Sequence, residues 1–117
     1  MRNPVATPSL VPSYDVTVYL VLDDFGKLGR AYRETDEEDT DLETVIANML
    51  TGQYTNPVRV VAFNTAEGWS RDVSEDIAWE ALKRSVTEGK ALPASTRAFA
   101  SFHIGESETV MAENALL

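Results

Sequence analysis

The chain has 117 residues, 44% of them hydrophobic and 25% charged, which is typical of one folded domain and argues against two domains or global disorder. A formal net charge of −9 argues against nucleic-acid binding, and the lack of cysteine excludes disulfides, thiolate nucleophiles and zinc–thiolate sites. The sequence contains neither a signal-peptide core nor a run of about 20 apolar residues, so we expect no membrane association and a cytoplasmic location.

Three prolines, Pro4, Pro8 and Pro12, fall in the first 13 residues, and few large apolar residues follow Gly105. We therefore expect a flexible N-terminal segment (1–13), a single globular domain (14–104) and a frayed acidic C-terminal tail (105–117).

The first element is predicted as a strand over residues 14–23, where Val16, Val18 and Leu20 alternate with further apolar residues. Residues 23–27 are typical of a turn, with Gly26 available for positive φ, and residues 28–34 are predicted to return as an antiparallel edge strand.

A capping box predicts a helix start at Thr40, with Glu43 as its reciprocal acceptor. The helix is expected to end near Gly52. Its sheet-facing stripe follows helical spacing and comprises Leu42, Val45, Ile46, Met49 and Leu50.

Seven acidic side chains occupy the ten positions 34–43, and without them the net charge would be −2. Acids that precede and open a helix favour the positive end of its dipole, which is the interpretation we prefer. A hard-cation site and a docking patch for a basic partner are the alternatives. No calcium-loop register fits, because the template that begins at Asp36 needs glycine where Asp41 stands.

A second buried strand is predicted over residues 58–64, after a turn at Asn56 and Pro57. The crossover rule makes it parallel to strand 28–34, and a strand order of 2-1-3 follows if the first strand lies between them.

A helix over residues 75–88 is expected next, capped by Ser74 or Asp72 and ended by Gly89. Its buried face comprises Ile77, Ala78, Ala81, Leu82 and Val86.

Residues 93–104 fit a helix opened by Pro93, with Ala98, Phe99 and Phe102 on one face, although strand alternation also fits. We favour the helix. The predicted fold class is thus α+β (α/β two-layer), with a small three-stranded sheet, element order ββαβαα and helices packed on the sheet.

The best candidate site is the segment 64–72, since ligands of open α/β folds bind where a strand ends and a helix begins. Trp69 offers a stacking surface and Arg71 an anion contact. The alternative is structural, with Trp69 as a packing anchor and Arg71 paired to a nearby acid, Asp72 or Glu75. The candidate binding residues are Asn64, Glu67, Trp69, Ser70, Arg71 and Asp72.

His103 is the only histidine, and no serine, threonine or carboxylate lies at a spacing that implies a catalytic triad with it. The sequence therefore leaves the catalytic residues unknown, and we expect no metal site and no cofactor.

The run 56–78, with the motif 19–22 and Asp23-Asp24-Phe25-Gly26, resembles a family of small uncharacterised proteins of soil alphaproteobacteria. The likeness covers about residues 14–104. The resemblance implies a bacterial, cytoplasmic source and implies no activity, cofactor or catalytic residue.

We expect a non-enzymatic module that binds a protein partner, because no catalytic constellation is visible while Trp69 and the acidic run offer contacts. One alternative is a small enzyme or small-molecule binder that uses the 64–72 loop, with Arg71 for an anionic ligand and Asp72 or Glu67 as acid-base group. The other is a structural homo-oligomer joined through Phe99 and Phe102.

Overall fold

The computed structural model describes residues 17–32 and 41–114, and within these the chain has a mixed α+β fold with four strands and four α-helices. The strands are β1 (Val18–Asp24), β2 (Arg30–Tyr32), β3 (Pro57–Asn64) and β4 (Trp69–Asp72). The helices are α1 (Leu42–Leu50), α2 (Ser74–Glu88), α3 (Ala94–Ile104) and α4 (Glu106–Asn114).

The strands form one antiparallel sheet in the order β2-β1-β3-β4. Because β2 and β3 both pair antiparallel with β1, they run in the same direction. The predicted three-strand sheet and the element order ββαβαα are corrected to four strands and ββαββααα. Two elements account for the difference: β4, which lies in the segment predicted as a strand-to-helix connection, and α4, which lies in the segment predicted as a tail.

The buried face of the sheet is formed by alternate residues of β1 and β3. Val21 is 2% exposed and its partner across the strand pair, Val60, is 0% exposed; Ala62, two residues further along β3, is 1% exposed. They share one core with Ile46, Met49, Leu82 and other helix residues. This burial explains why both strands are almost continuously apolar.

Asp23 is the exception in β1, since it is a fully buried carboxylate. Its Oδ2 accepts a hydrogen bond from Thr55 N at 2.9 Å and its Oδ1 accepts one from Asn56 N at 2.7 Å. Asp23 was predicted as the last residue of the strand and the first of the turn; β1 continues to Asp24, and the Asp23 carboxylate anchors the loop that leads into β3. The turn itself has Gly26 at φ 67°, as predicted.

Asp41 caps α1, and its Oδ1 accepts a hydrogen bond from Thr44 N at 2.8 Å. This bond lowers the pKa of Asp41. The prediction of Thr40 as the cap is therefore wrong by one residue. Thr40 itself lies outside the described residues, as does the acidic run up to residue 40. Of the predicted stripe, Val45, Ile46 and Met49 are buried and Leu50 is partly buried, whereas Leu42 is 39% exposed.

Helix α2 confirms the predicted range within one residue and ends at Gly89, which adopts a left-handed conformation with φ 68°. Two side chains join its start to the sheet: Asp72 Oδ1 accepts from Ser74 N at 2.8 Å, and Ser74 Oγ accepts from Val60 N at 2.8 Å. Val86, predicted in the buried face, is 36% exposed.

Residues 94–104 are helical, which decides between the two interpretations of this segment. The expected common face is wrong in part, because Phe99 is buried while Ala98 and Phe102 are exposed.

The segment predicted as a frayed tail contains α4. Arg97 of α3 bonds to Glu106 at 2.7 Å and to Glu113 at 2.5 Å, and Thr109 is fully buried. These contacts hold α4 against α3. The proximity of Arg97 also lowers the pKa of Glu106.

Candidate functional site

The predicted site residues lie on a β-hairpin rather than on a strand-to-helix loop. Register pairs Asn64 with Trp69 and Ala62 with Arg71, so Asn64, Trp69 and Arg71 share the helix-covered face of the sheet. Ser70 and Asp72 alternate with them and lie on the opposite face. The six residues therefore do not converge on one cavity.

Most polar groups of this hairpin bind to one another. Asn64 is 4% exposed, and its Oδ1 accepts a hydrogen bond from Glu67 N at 2.9 Å. The Glu67 carboxylate accepts one from Trp69 Nε1 at 2.7 Å. Asp72 accepts from Ser74 N and lies 3.8 Å from Arg59 Nε. Their side-chain contacts support the structural interpretation for Asn64, Glu67, Trp69 and Asp72.

Arg71 differs from its neighbours on the hairpin. Its guanidinium lies over the Trp69 ring, 5.6 Å from the ring centroid, in a cation–π contact. The predicted pairing with Asp72 or Glu75 is absent from the ion pairs among the described residues. Arg71 thus keeps its hydrogen-bond donors available on the side away from the indole.

Arg71 lines a cleft of about 330 Å³, which we call the β4–α2 cleft. Its other lining residues come from β1, α1 and α2 and are Tyr19, Leu42, Val73, Asp76, Ile77, Glu80 and Arg84. Volumes near this value are at the lower end of the range for small-molecule pockets.

The charge of Arg84 in this cleft is already paired. Its two terminal nitrogens donate to the Glu43 carboxylate at 3.0 and 2.8 Å, and its Nε donates to Glu80 at 2.8 Å. These bonds raise the pKa of Arg84 and lower that of Glu43. Arg84 therefore links α1 to α2, and its charge is not available to a ligand.

A second concavity, of about 290 Å³, lies beside the last turn of α3, and we call it the α3 groove. Its walls come from α3, the start of β3 and the β1–β2 hairpin and comprise Asp24, Arg30, Asn56, Pro57, Val58, Ala98, Phe99, Phe102 and His103. Phe102 is 80% exposed at its edge, whereas Phe99 is 2% exposed at its base.

His103 has a structural position in this groove. Its Nε2 lies 2.7 Å from the carbonyl oxygen of Val58, and since a carbonyl only accepts, Nε2 is the donor. The imidazole also packs against Phe99 and Phe102, with ring centroids 4.6 and 5.0 Å away. His103 thus ties the end of α3 to β3.

The polar rim of the α3 groove is electrically balanced. Arg30 Nε lies 3.3 Å from Asp24 Oδ2, and Asp24 Oδ1 also accepts a hydrogen bond from Gly26 N at 2.8 Å. The remaining lining is largely apolar. The groove therefore presents a surface suited to an apolar side chain.

Sequence reasoning singled out Arg71 but missed the other charged groups of its cleft. Asp76, Glu80 and Arg84 recur along one side of α2 at positions i, i+4 and i+8, a spacing that indicates a shared helix side. That these residues face β4 depends on how α2 packs, which no local pattern shows.

Among the described residues, no group of three or more acidic or histidine side chains is arranged to hold a metal ion. In the same ranges no helix is both long and apolar enough to span a membrane.

Comparison with protein-family models, curated proteins and solved structures finds no match to this chain. The resemblance to an alphaproteobacterial family therefore stays a prediction, and the two concavities are the features of the structure that bear on function.

Proposed function

We propose that this chain is a non-enzymatic protein-binding module whose α3 groove receives a large apolar side chain of a basic partner segment. The observation that carries the proposal is Phe102, an aromatic side chain that is 80% exposed at the edge of an apolar concavity.

The juxtaposition of Phe102 and the groove matters more than the exposure alone. Single exposed apolar residues are common on protein surfaces and need no explanation. Here Phe102 adjoins Ala98, Phe99 and Val58, so one inserted side chain would contact the ring and the groove walls together. Burial of such an anchor contributes about 1.5 to 3 kcal/mol.

Charge supports a basic partner. The chain carries a net charge of −9, which attracts cationic segments over a distance of about a Debye length and raises their association rate. Since the Asp24–Arg30 pair neutralises the groove rim, this attraction comes from the whole molecule and specificity comes from the apolar anchor.

Trp69, the contact residue expected from the sequence, is less suited to this role. Its Nε1 is bonded to Glu67 and its ring carries Arg71, so a partner would have to displace existing contacts.

The test is a selection of short random peptides against the wild-type protein, followed by affinity measurement. We expect selected peptides to combine lysine or arginine with one large apolar residue, and to lose about tenfold or more in affinity for Phe102→Ser. Leu28→Ser is the matched control, because Leu28 is 89% exposed but does not line the groove. Peptides that bind Phe102→Ser as tightly as the wild type would overturn the proposal.

Light scattering tests the homo-oligomer alternative, since the exposed Phe102 would also fit an interface between two copies of the chain. A monomer at tens of micromolar supports the proposal. A dimer that Phe102→Ser dissociates would replace it, because the occupant of the groove would then be a second copy.

A further inference from the structure

The β4–α2 cleft lies apart from the α3 groove and has no part in the function proposed above. The register of the sheet spaces two of its lining residues: Tyr19 pairs with Ala62, and Ala62 pairs with Arg71. Adjacent strands are about 4.8 Å apart, so the backbones at Tyr19 and Arg71 lie about 10 Å apart, one strand between them. Both side chains line the cleft, whereas Ala62 is buried.

Three of the eight residues that line this cleft are apolar. Val73 and Ile77 are 6% and 2% exposed, and Leu42 is 39% exposed at the mouth. Leu42 was predicted to belong to the sheet-facing stripe of α1. It is the one member of that stripe whose side chain is largely exposed to solvent. Its position gives an apolar ligand body a surface to cover.

Two charged groups of the cleft have no ionic partner among the described residues. Within residues 17–32 and 41–114, Arg71 forms a cation–π contact with the Trp69 ring but no ion pair, and Asp76 is exposed and forms no ion pair. By contrast, Arg84 and Glu80 are bonded to each other. The cleft thus presents one available cation and one available anion, separated by more than ion-pair distance.

The balance of charge selects the kind of ligand. The lining contains two arginines and two acids, and Glu43, held by Arg84, adds a further negative group nearby. A purely anionic ligand would be attracted by Arg71 and repelled by the carboxylates. A ligand with a negative and a positive group would be attracted by Arg71 at one end and by Asp76 at the other.

We propose that the β4–α2 cleft binds a small zwitterion of the amino-acid type, with its carboxylate on Arg71, its ammonium on Asp76 and its apolar body against Leu42, Val73 and Ile77. Guanidinium matches carboxylate geometry with paired donors, and the Asp76 carboxylate accepts from an ammonium. The Tyr19 hydroxyl adds a neutral hydrogen-bonding group at the far wall.

The experiment is calorimetry with L-leucine, L-phenylalanine and δ-aminovalerate as probes. Isocaproate and isopentylamine are the controls, since they keep the leucine skeleton but lack the ammonium or the carboxylate. We expect millimolar or tighter binding of at least one zwitterion and about tenfold weaker binding of both single-charge analogues. No binding of any zwitterion at millimolar concentration, or equal binding of isocaproate, would overturn the proposal.

Two pairs of variants locate the site. Arg71→Gln and Asp76→Asn should each weaken the zwitterion about tenfold. Arg59→Gln and Glu75→Gln are matched controls: Arg59 lies on the opposite face of the adjacent strand, Glu75 adjoins Asp76, and neither lines the cleft. Equal loss in a control and its partner variant would refute the assignment.

Phe102→Ser should bind the zwitterion as the wild type does. The outcomes for the two proposals are therefore separable, because variants of the cleft leave the α3 groove intact and the reverse holds.

Discussion

The β3–β4 hairpin and the last turn of α3 each carry an aromatic side chain at the surface. The two side chains differ in how far they are buried and in whether they bind to neighbouring groups. On the hairpin, Trp69 is half-buried, bonded to Glu67 and covered by Arg71. On α3, Phe102 is 80% exposed and contacts a groove on one side. On the hairpin, Asn64, Glu67 and Asp72 are hydrogen-bonded within the protein, and Arg71 keeps donors available. On α3, the exposed Phe102 ring is available to an apolar partner.

This difference shows that residue type is a weak guide to a binding site. Polar side chains of a tight hairpin form hydrogen bonds with backbone and side-chain groups of the turn and the neighbouring strand, so fewer of them are available to a ligand. The side chain of an exposed phenylalanine has no hydrogen-bonding group that its neighbours could engage.

The largest expected effect separates the two phenylalanines of α3. Phe99→Ala should lower the free energy of unfolding by about 3 to 5 kcal/mol, because it empties a core position. Phe102→Ala should change it by less than about 0.5 kcal/mol. Denaturant unfolding measures both, and a large loss for Phe102→Ala would mean that its ring is structural.

The next effect concerns the hairpin. Asn64→Ala should cost about 1 to 2 kcal/mol of unfolding free energy, because the Glu67 N–H loses its acceptor at a buried position. Ser70→Ala, exposed on the same hairpin, is the control and should be nearly neutral. Equal stability of the two variants would contradict the structural role assigned to Asn64.

A smaller effect tests the bond from Trp69 to Glu67. Trp69→Phe should cost about 0.5 to 1 kcal/mol more than the matched change elsewhere, since an aromatic side chain is kept but the indole N–H donor is lost. Trp79→Phe is the matched control, as Trp79 is 44% exposed and has no hydrogen bond from its indole among the described residues. Thermal unfolding of the two variants gives the comparison.

The subtlest prediction concerns acid. The pKa of Glu43 is lowered from its ordinary value of 4.5 by its bonds to Arg84. A carboxyl with a depressed folded pKa stabilises fully above its unfolded pKa, and the contribution is lost as pH falls through the folded value. The stability difference between wild type and Glu43→Gln should thus be greatest near neutral pH and shrink below about 4.5. Glu75→Gln, which removes no ion pair, should show a smaller change, and a pH-independent Glu43→Gln difference would argue against the pairing.

Local patterns predicted much of the secondary structure. The apolar run of β3, the helical stripes of α1 and α2 and the stop glycines Gly52 and Gly89 each depend on near neighbours in the chain. The mixed α+β class follows from these elements. Strand β4 was missed because Trp69 to Asp72 is short and polar, and only pairing with β3 makes it a strand.

The candidate sites were harder to predict, because they depend on residues distant in sequence. Asp76 lines the same cleft as Arg71 because α2 packs on the sheet, and Phe102 lines the same groove as Pro57 because α3 packs there. Helix α4 likewise needs Arg97 of α3 to hold two of its acids. Periodicity along the chain thus specifies which residues share a face, while long-range packing specifies what that face meets and which charged groups remain available to a ligand.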